Sequence, residues 1–222
     1  MTDRFDTEQT NIELNIEPNG LVKGTYRINK YDYAAIKERQ KISGSSSIAD
    51  YQKSLQNKST SITIDSLQVN NLNELSEPLE IQFKFNWQEE DAAGAKTIYL
   101  QPFIIDKMES NPLKQFIRIF PVDFGVKKRS IVNTTINIPD GFEVESITPS
   151  TNFTLPDKSG FFKILTKIEG NKINIQTLLQ LSNTIYSSGD YKALKELFSL
   201  MIKTQSDPIV LKKKATTTSK TK

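Results

Sequence analysis

The chain has 222 residues and carries neither cysteine nor histidine. That excludes disulfides, thiolate nucleophiles and zinc–thiolate sites, and it removes the imidazole that most often acts as general base near neutral pH. The formal net charge is +3, but Lys212, Lys213, Lys214, Lys220 and Lys222 lie in a tail without acids; setting those five aside leaves residues 1–211 at −2, which argues against a nucleic-acid-binding face.

Apolar residues make up only 36% of the chain, yet they fall in patterned runs, which a disordered chain lacks. Ile12, Leu14 and Ile16 alternate with polar residues, Pro18-Asn19-Gly20 supplies a turn, and Val22, Gly24, Tyr26 and Ile28 alternate on the return, so a β-hairpin is expected. Asp32 is placed to cap a helix over about 33–42. After the break at Ser43 to Ser47, the Ser47/Asp50 pair resembles a capping box for a second helix over about 48–57. Neither helix shows a broad apolar stripe, so both are expected on the surface. Strand signals resume at 62–64 and 67–69 with a phase slip that suggests a bulge. Ile81, Phe83, Phe85 and Trp87 then form the cleanest alternation in the chain.

The polar stretch from Glu89 to Lys96 reads as a domain boundary. Beyond it, strands are expected over 98–105, 116–124, 130–138, 142–147, 162–168 and 173–179, with turns at Pro139-Asp140-Gly141 and Gly170-Asn171. The run from Phe116 to Phe124 is apolar on both faces, so it is expected either at the centre of a sandwich or pressed against a neighbour. Leu194, Leu197, Phe198 and Met201, with Tyr191 and Ile202, follow helical spacing, with Ser188 or Asp190 as the cap and Asp207-Pro208 as the stop. Ile209 to Leu211 can add a short strand. The expected fold is mostly β and β-sandwich-like, with a few helices including this C-terminal amphipathic one, and some α+β character in the N-terminal half. The expected division is a β-rich linking domain over 7–90 with two surface helices, a β-sandwich-like domain over 96–212, and a disordered tail over 213–222. No apolar run approaches the ~20 residues that span a bilayer, and the first residues do not read as a signal peptide.

Two stretches carry a resemblance. One is Asn111-Pro112-Leu113-Lys114, then Arg118, then Phe120-Pro121-Val122-Asp123-Phe124-Gly125. The other is Asp190 to Phe198, ending in Asp207-Pro208-Ile209-Val210-Leu211-Lys212. Together they resemble the domain of unknown function at the C-terminus of large bacterial transglutaminase-like proteins, most specifically over about 96–212. The resemblance implies an exported or periplasmic setting and a place after a papain-like catalytic core. The Cys, His and Asp of that core have no counterpart here, so the family's activity does not carry over.

Candidate sites are few. Arg118 could anchor an anion with Asp123 as its partner; the structural alternative has Pro121 and Gly125 shaping an edge while Asp123 bonds backbone donors. Trp87, Phe85, Tyr99 and Phe103 could form an aromatic platform, although alternating aromatics in a strand are usually core. Tyr31 and Tyr33 are expected nearer the surface. Glu89, Glu90 and Asp91 could hold calcium but lack spaced oxygen ligands and a glycine turn. Gly44-Ser45-Ser46-Ser47 is no nucleophile elbow, a Ser–Lys dyad is only a formal option, and the Asn-x-Ser/Thr triplets at Asn57, Asn133 and Asn152 read as chance. No phosphate-cradling glycine pattern is present. The expectation is a non-enzymatic accessory β-module with a structural or protein-interaction role, without cofactor or metal, partnered by a transglutaminase-like core or another protein. A carbohydrate- or cell-surface-binding module is the alternative, and a fragment of a longer gene product is a third reading.

Overall fold

A computed structural model describes residues 4–58, 62–88, 96–103, 105 and 107–214. The N-terminal half contains β1 (Phe5–Ile16), β2 (Leu21–Lys30), α1 (Asp32–Ser43), α2 (Ile48–Lys58), β3 (Thr63–Asn70) and β4 (Leu79–Gln88). Then follow β5 (Thr97–Leu100), β6 (Val122–Asp123), β7 (Lys127–Asn137), β8 (Phe142–Ser146), β9 (Thr151–Thr154), β10 (Gly160–Glu169), β11 (Lys172–Leu181), β12 (Ile185–Tyr186), α3 (Tyr191–Ser206) and β13 (Ile209–Lys213). The fold is mostly β with few helices. No helix among the described residues is long and apolar enough to cross a membrane.

Eight strands form one sheet in the order β3-β4-β2-β1-β7-β11-β10-β9. Every pairing in it is antiparallel except β1 with β7, which run parallel from Phe5↔Lys127 to Asn15↔Asn137. That ladder joins strands from both halves of the chain, on either side of the 89–96 stretch. The stretch itself, up to residue 95, lies outside the described residues, as does most of the tail, from 215 onward.

Alternation puts Ile12, Leu14, Val22, Tyr26, Ile81, Phe83, Phe85, Trp87, Ile136, Ile173, Ile175, Phe162 and Ile164 on one face, all buried in a single apolar cluster. The layer over that face is composite rather than a second large sheet. It contains the two N-terminal helices, the segment through Phe103 and Leu113, the three-stranded sheet β5-β13-β8, and α3. The architecture is one broad sheet with a mixed cover.

Gly24 shows how tightly the face packs. It pairs with Phe85 across β2 and β4, and the Phe85 ring occupies the space a Cβ would need. Gly24→Ala is expected to cost about 1–3 kcal/mol through overpacking, read as a fall in the urea midpoint at constant m-value.

One local expectation needs correction, at the start of α1. Asp32 does not cap α1. It is the first helical residue, at φ 47°, and its carboxylate lies 3.8 Å from Arg4. The cap arrives from β1 instead: Ala34 N–H donates to Asp6 Oδ1 at 2.6 Å. α1 buries one face, through Ala34, Ala35, Glu38, Arg39 and Ile42, and leaves Tyr33, Ile36, Lys37, Gln40 and Lys41 exposed. At α3 the N-cap position is held by Asp190, one of the two residues expected there, and Ser187 steadies it: the hydroxyl accepts from Asp190 N–H at 3.3 Å and donates to the Asp190 carboxylate at 2.6 Å. Ser47 does cap α2, accepting from Asp50 N–H at 3.1 Å.

The edge strand β3 is protected by side chains. The Gln56 carboxamide accepts from Ile64 N–H at 2.8 Å and donates to Ile62 O, while Gln52 donates to Ile64 O at 2.9 Å. The glutamines of α2 thus satisfy edge groups that a further strand would otherwise claim. The expected phase slip is a register shift between Asp65 and Gln68, with Ser66 at φ 53°.

Candidate functional site

The segment from Asn111 to Gly125 is not a strand, apart from the two residues of β6. It is a loop fixed at both ends. At its start, Asn111 Oδ1 accepts from Leu113 N–H at 2.8 Å, a local turn that Asn favours. Asn111 Nδ2 donates to Lys195 O at 2.8 Å and to Ser199 Oγ at 2.9 Å, tying the turn to α3. The Tyr191 hydroxyl donates to Gln115 O at 2.8 Å, and Lys195 Nζ donates to the same oxygen at 2.7 Å. Leu113 is buried beneath these contacts.

At its far end, β6 pairs with β12, and Phe124 N–H donates to Thr184 O at 2.8 Å. The Phe124 ring meets Tyr186 edge-on at 5.8 Å, with Phe198 at 6.3 Å. Tyr186 is buried, its hydroxyl donating to Ser159 O at 2.8 Å, and burial pushes its phenol above the ordinary value.

Between these anchors the loop holds apolar side chains in water. Phe116 is 93% exposed, Ile117 73%, Ile119 82% and Phe120 76%. Ile185, beside Asp123 in the β6–β12 pair, is exposed as well. Arg118 braces the tip from within: Nε donates to Phe120 O at 3.0 Å and Nη2 to Pro121 O at 3.2 Å. Chemically the loop offers contact. Burying each of these side chains against a partner is worth about 1.5–3 kcal/mol, and contiguous exposed apolar residues mark interaction sites.

The sequence motif is therefore brought together, though without an Arg118–Asp123 pair. Asp123 Oδ1 accepts from Gly125 N–H at 2.7 Å, and Gly125 takes φ 72°, which favours glycine. Pro112 and Pro121 are exposed, bracketing the apolar run. The aromatic platform does not form. Phe85 and Trp87 stack at 5.9 Å inside the core, Phe103 is buried, and only Tyr99 faces solvent. Tyr33 is exposed and Tyr31 half-buried. Asn133 sits mid-strand, donating to Asn11 Oδ1 at 3.0 Å. Glu89, Glu90 and Asp91 lie outside the described residues, and no group of three His, Cys, Asp or Glu is placed to hold a metal among the described ones. Sequence reasoning expected a strand where the structure has the loop that exposes Phe116, Ile117, Ile119 and Phe120, and it missed the bracing by Tyr191 and Lys195. The signal available was the pair of prolines around the run, which disfavours a central strand.

A family model for DUF3858, a domain of unknown function, matches residues 96–211, just over half the chain. A solved structure from Parabacteroides distasonis, described as a "putative protease", is similar at 14% identity and a TM-score of 0.44. The match covers 52% of this chain and 23% of that one, so the chain spans under a quarter of that protein. No curated protein matches this chain.

Proposed function

We propose that this chain, which belongs to the DUF3858 family of domains of unknown function, is a non-catalytic accessory β-module that docks onto another protein through its 116–120 loop. The partner proposed is a transglutaminase-like core, on the strength of the sequence resemblance over about 96–212. The observation that carries the reading is the braced presentation of Phe116, Ile117, Ile119 and Phe120 in solvent. A floppy apolar loop would collapse onto the body. This one is fixed by α3 and by its own arginine, so its shape is ready before any partner arrives, which lowers the ordering cost of binding. The sequence adds that no thiol or imidazole is available for acyl transfer.

The test mixes the purified chain with a transglutaminase-like core and follows backbone hydrogen exchange. Amides of 115–121 are expected to gain protection. In Phe116→Ser/Phe120→Ser that protection is lost while stability changes by no more than about 0.5 kcal/mol, because both rings are exposed. Unchanged exchange in the wild-type mixture refutes the docking role. Transamidation or peptide hydrolysis that copurifies with the isolated chain refutes the non-catalytic one.

A further inference from the structure

The outer face of the large sheet is polar and uncovered. Its central part forms a trough of about 820 Å³, lined by Asn11, Arg27, Gln82, Lys84 and Asn133 among others. Two features shape it. The bulge in β3 swings Ser66 and Gln68 into one wall, since bulges bend a strand and re-aim its side chains. Across the floor, carboxamides are locked in series: Gln176 donates to Asn133 Oδ1 at 2.8 Å, and Asn133 donates to Asn11 Oδ1 at 3.0 Å. On the other side the Arg27 guanidinium donates to Gln82 Oε1 at 3.0 Å, and Gln82 donates in turn to Gln68 Oε1 at 2.5 Å.

We propose that this trough is a binding site for a carboxylate-bearing oligosaccharide. The volume falls in the range of ligand sites. The lining holds Arg27, Lys84 and Lys172 with Glu13, and with Glu169 opposite Lys172 at the rim the cations serve as individual contacts rather than as a net positive field. Glu80, 3.9 Å from Arg27, and Asp65, opposite Lys84, stand at its margin. Lys84 and Lys172 make no ion pair among the described residues, so their ammonium groups are available to ligand carboxylates. The amides and hydroxyls each combine donor and acceptor, as a row of sugar hydroxyls requires. An acidic peptide fits less well, because Ile12, Tyr26 and Phe83 bury their side chains on the opposite face and leave no apolar pocket for peptide side chains. From β4 across β2 and β1 to β7 the floor spans about 14 Å at ordinary strand spacing, room for a short oligomer. The ring-stacking platform of many sugar sites is absent from the lining, so affinity here comes from charge-assisted hydrogen bonds.

The experiment titrates the full chain, by calorimetry and by amide chemical shifts, with a galacturonic acid tetramer, a neutral galactose tetramer and a tetraglutamate peptide. Saturable binding of the uronate tetramer is expected, with shifts confined to β1, β2, β3, β4, β7 and the start of β11. Binding should weaken about tenfold or more in Arg27→Gln/Lys84→Gln at an unchanged thermal midpoint, since both side chains are exposed. Equal binding of the neutral tetramer, equal or tighter binding of tetraglutamate, no uronate binding at millimolar ligand, or full binding by the double variant would each overturn the assignment.

Discussion

Arg39→Ala is expected to lower unfolding free energy by about 3–5 kcal/mol, in the class of changes that strand buried polar groups. Arg39 is 7% exposed, on the face of α1 that meets the sheet. Its Nη2 reaches Asn71 O at 2.9 Å, Glu74 O at 2.8 Å and Glu77 O at 2.8 Å, and its Nε reaches Leu72 O at 3.2 Å. One guanidinium thus gathers the carbonyls of the whole β3–β4 connection. An ammonium cannot reproduce that planar fork, so Arg39→Lys should recover less than half of the loss. Urea midpoints give the energies, and hydrogen exchange locates the effect. Amides near 71–77 should open before the rest of the sheet in the Lys variant. A loss below about 1 kcal/mol for Arg39→Ala would mean that water replaces the guanidinium without cost, and the clamp would then be incidental.

The same residue marks the limit of the sequence. Periodicity found the β1–β2 hairpin, β4 and α3, because each is a local repeat of apolar residues that burial then confirms. Turns at Gly141 and Gly170 were readable because both take positive φ, at 82° and 61°. The buried face of α1 was not legible as an apolar stripe because it is partly charged. Glu38 and Arg39 count as polar in any pattern, and their burial depends on Lys30, Tyr51 and the 71–77 carbonyls, polar partners that apolar periodicity does not register. The parallel β1–β7 ladder joins residues more than a hundred positions apart, so neither strand announces its neighbour. The loop at 116–120 failed differently. An apolar run bounded by turn residues reads as a buried strand, and only the side chains of Asn111, Tyr191 and Lys195 reveal that it is pinned outward. The motif residues were visible in the sequence; the apolar tip they carry was visible only as hydrophobicity.

Glu38→Gln should erase most of the acid sensitivity of the fold. The Glu38 side chain is 7% exposed. Burial alone would raise its pKa, but the Lys30 ammonium at 2.9 Å and hydrogen bonds from Lys41 and Lys30 outweigh it, bringing the group down to about 2. The Tyr51 hydroxyl also donates to this carboxylate, at 3.0 Å. A carboxyl with a depressed folded value stabilises the native state above its unfolded value of 4.5, and loses that contribution as pH falls toward 2. The shift corresponds to about 3 kcal/mol. The glutamine variant keeps the shape, gives up the charge, and leaves Lys30 with Glu8 alone. At pH 7 it should therefore be less stable by roughly 3 kcal/mol. The gap to the wild type should narrow between about pH 4.5 and pH 2 and vanish below that, because the wild-type carboxyl is then neutral too. Urea titrations at pH 7, 4, 3 and 2 would trace the convergence. A gap that stayed constant down to pH 2 would locate the acid sensitivity elsewhere, and would reduce the Lys30–Glu38–Lys41 cluster to a packing feature whose charges do not matter.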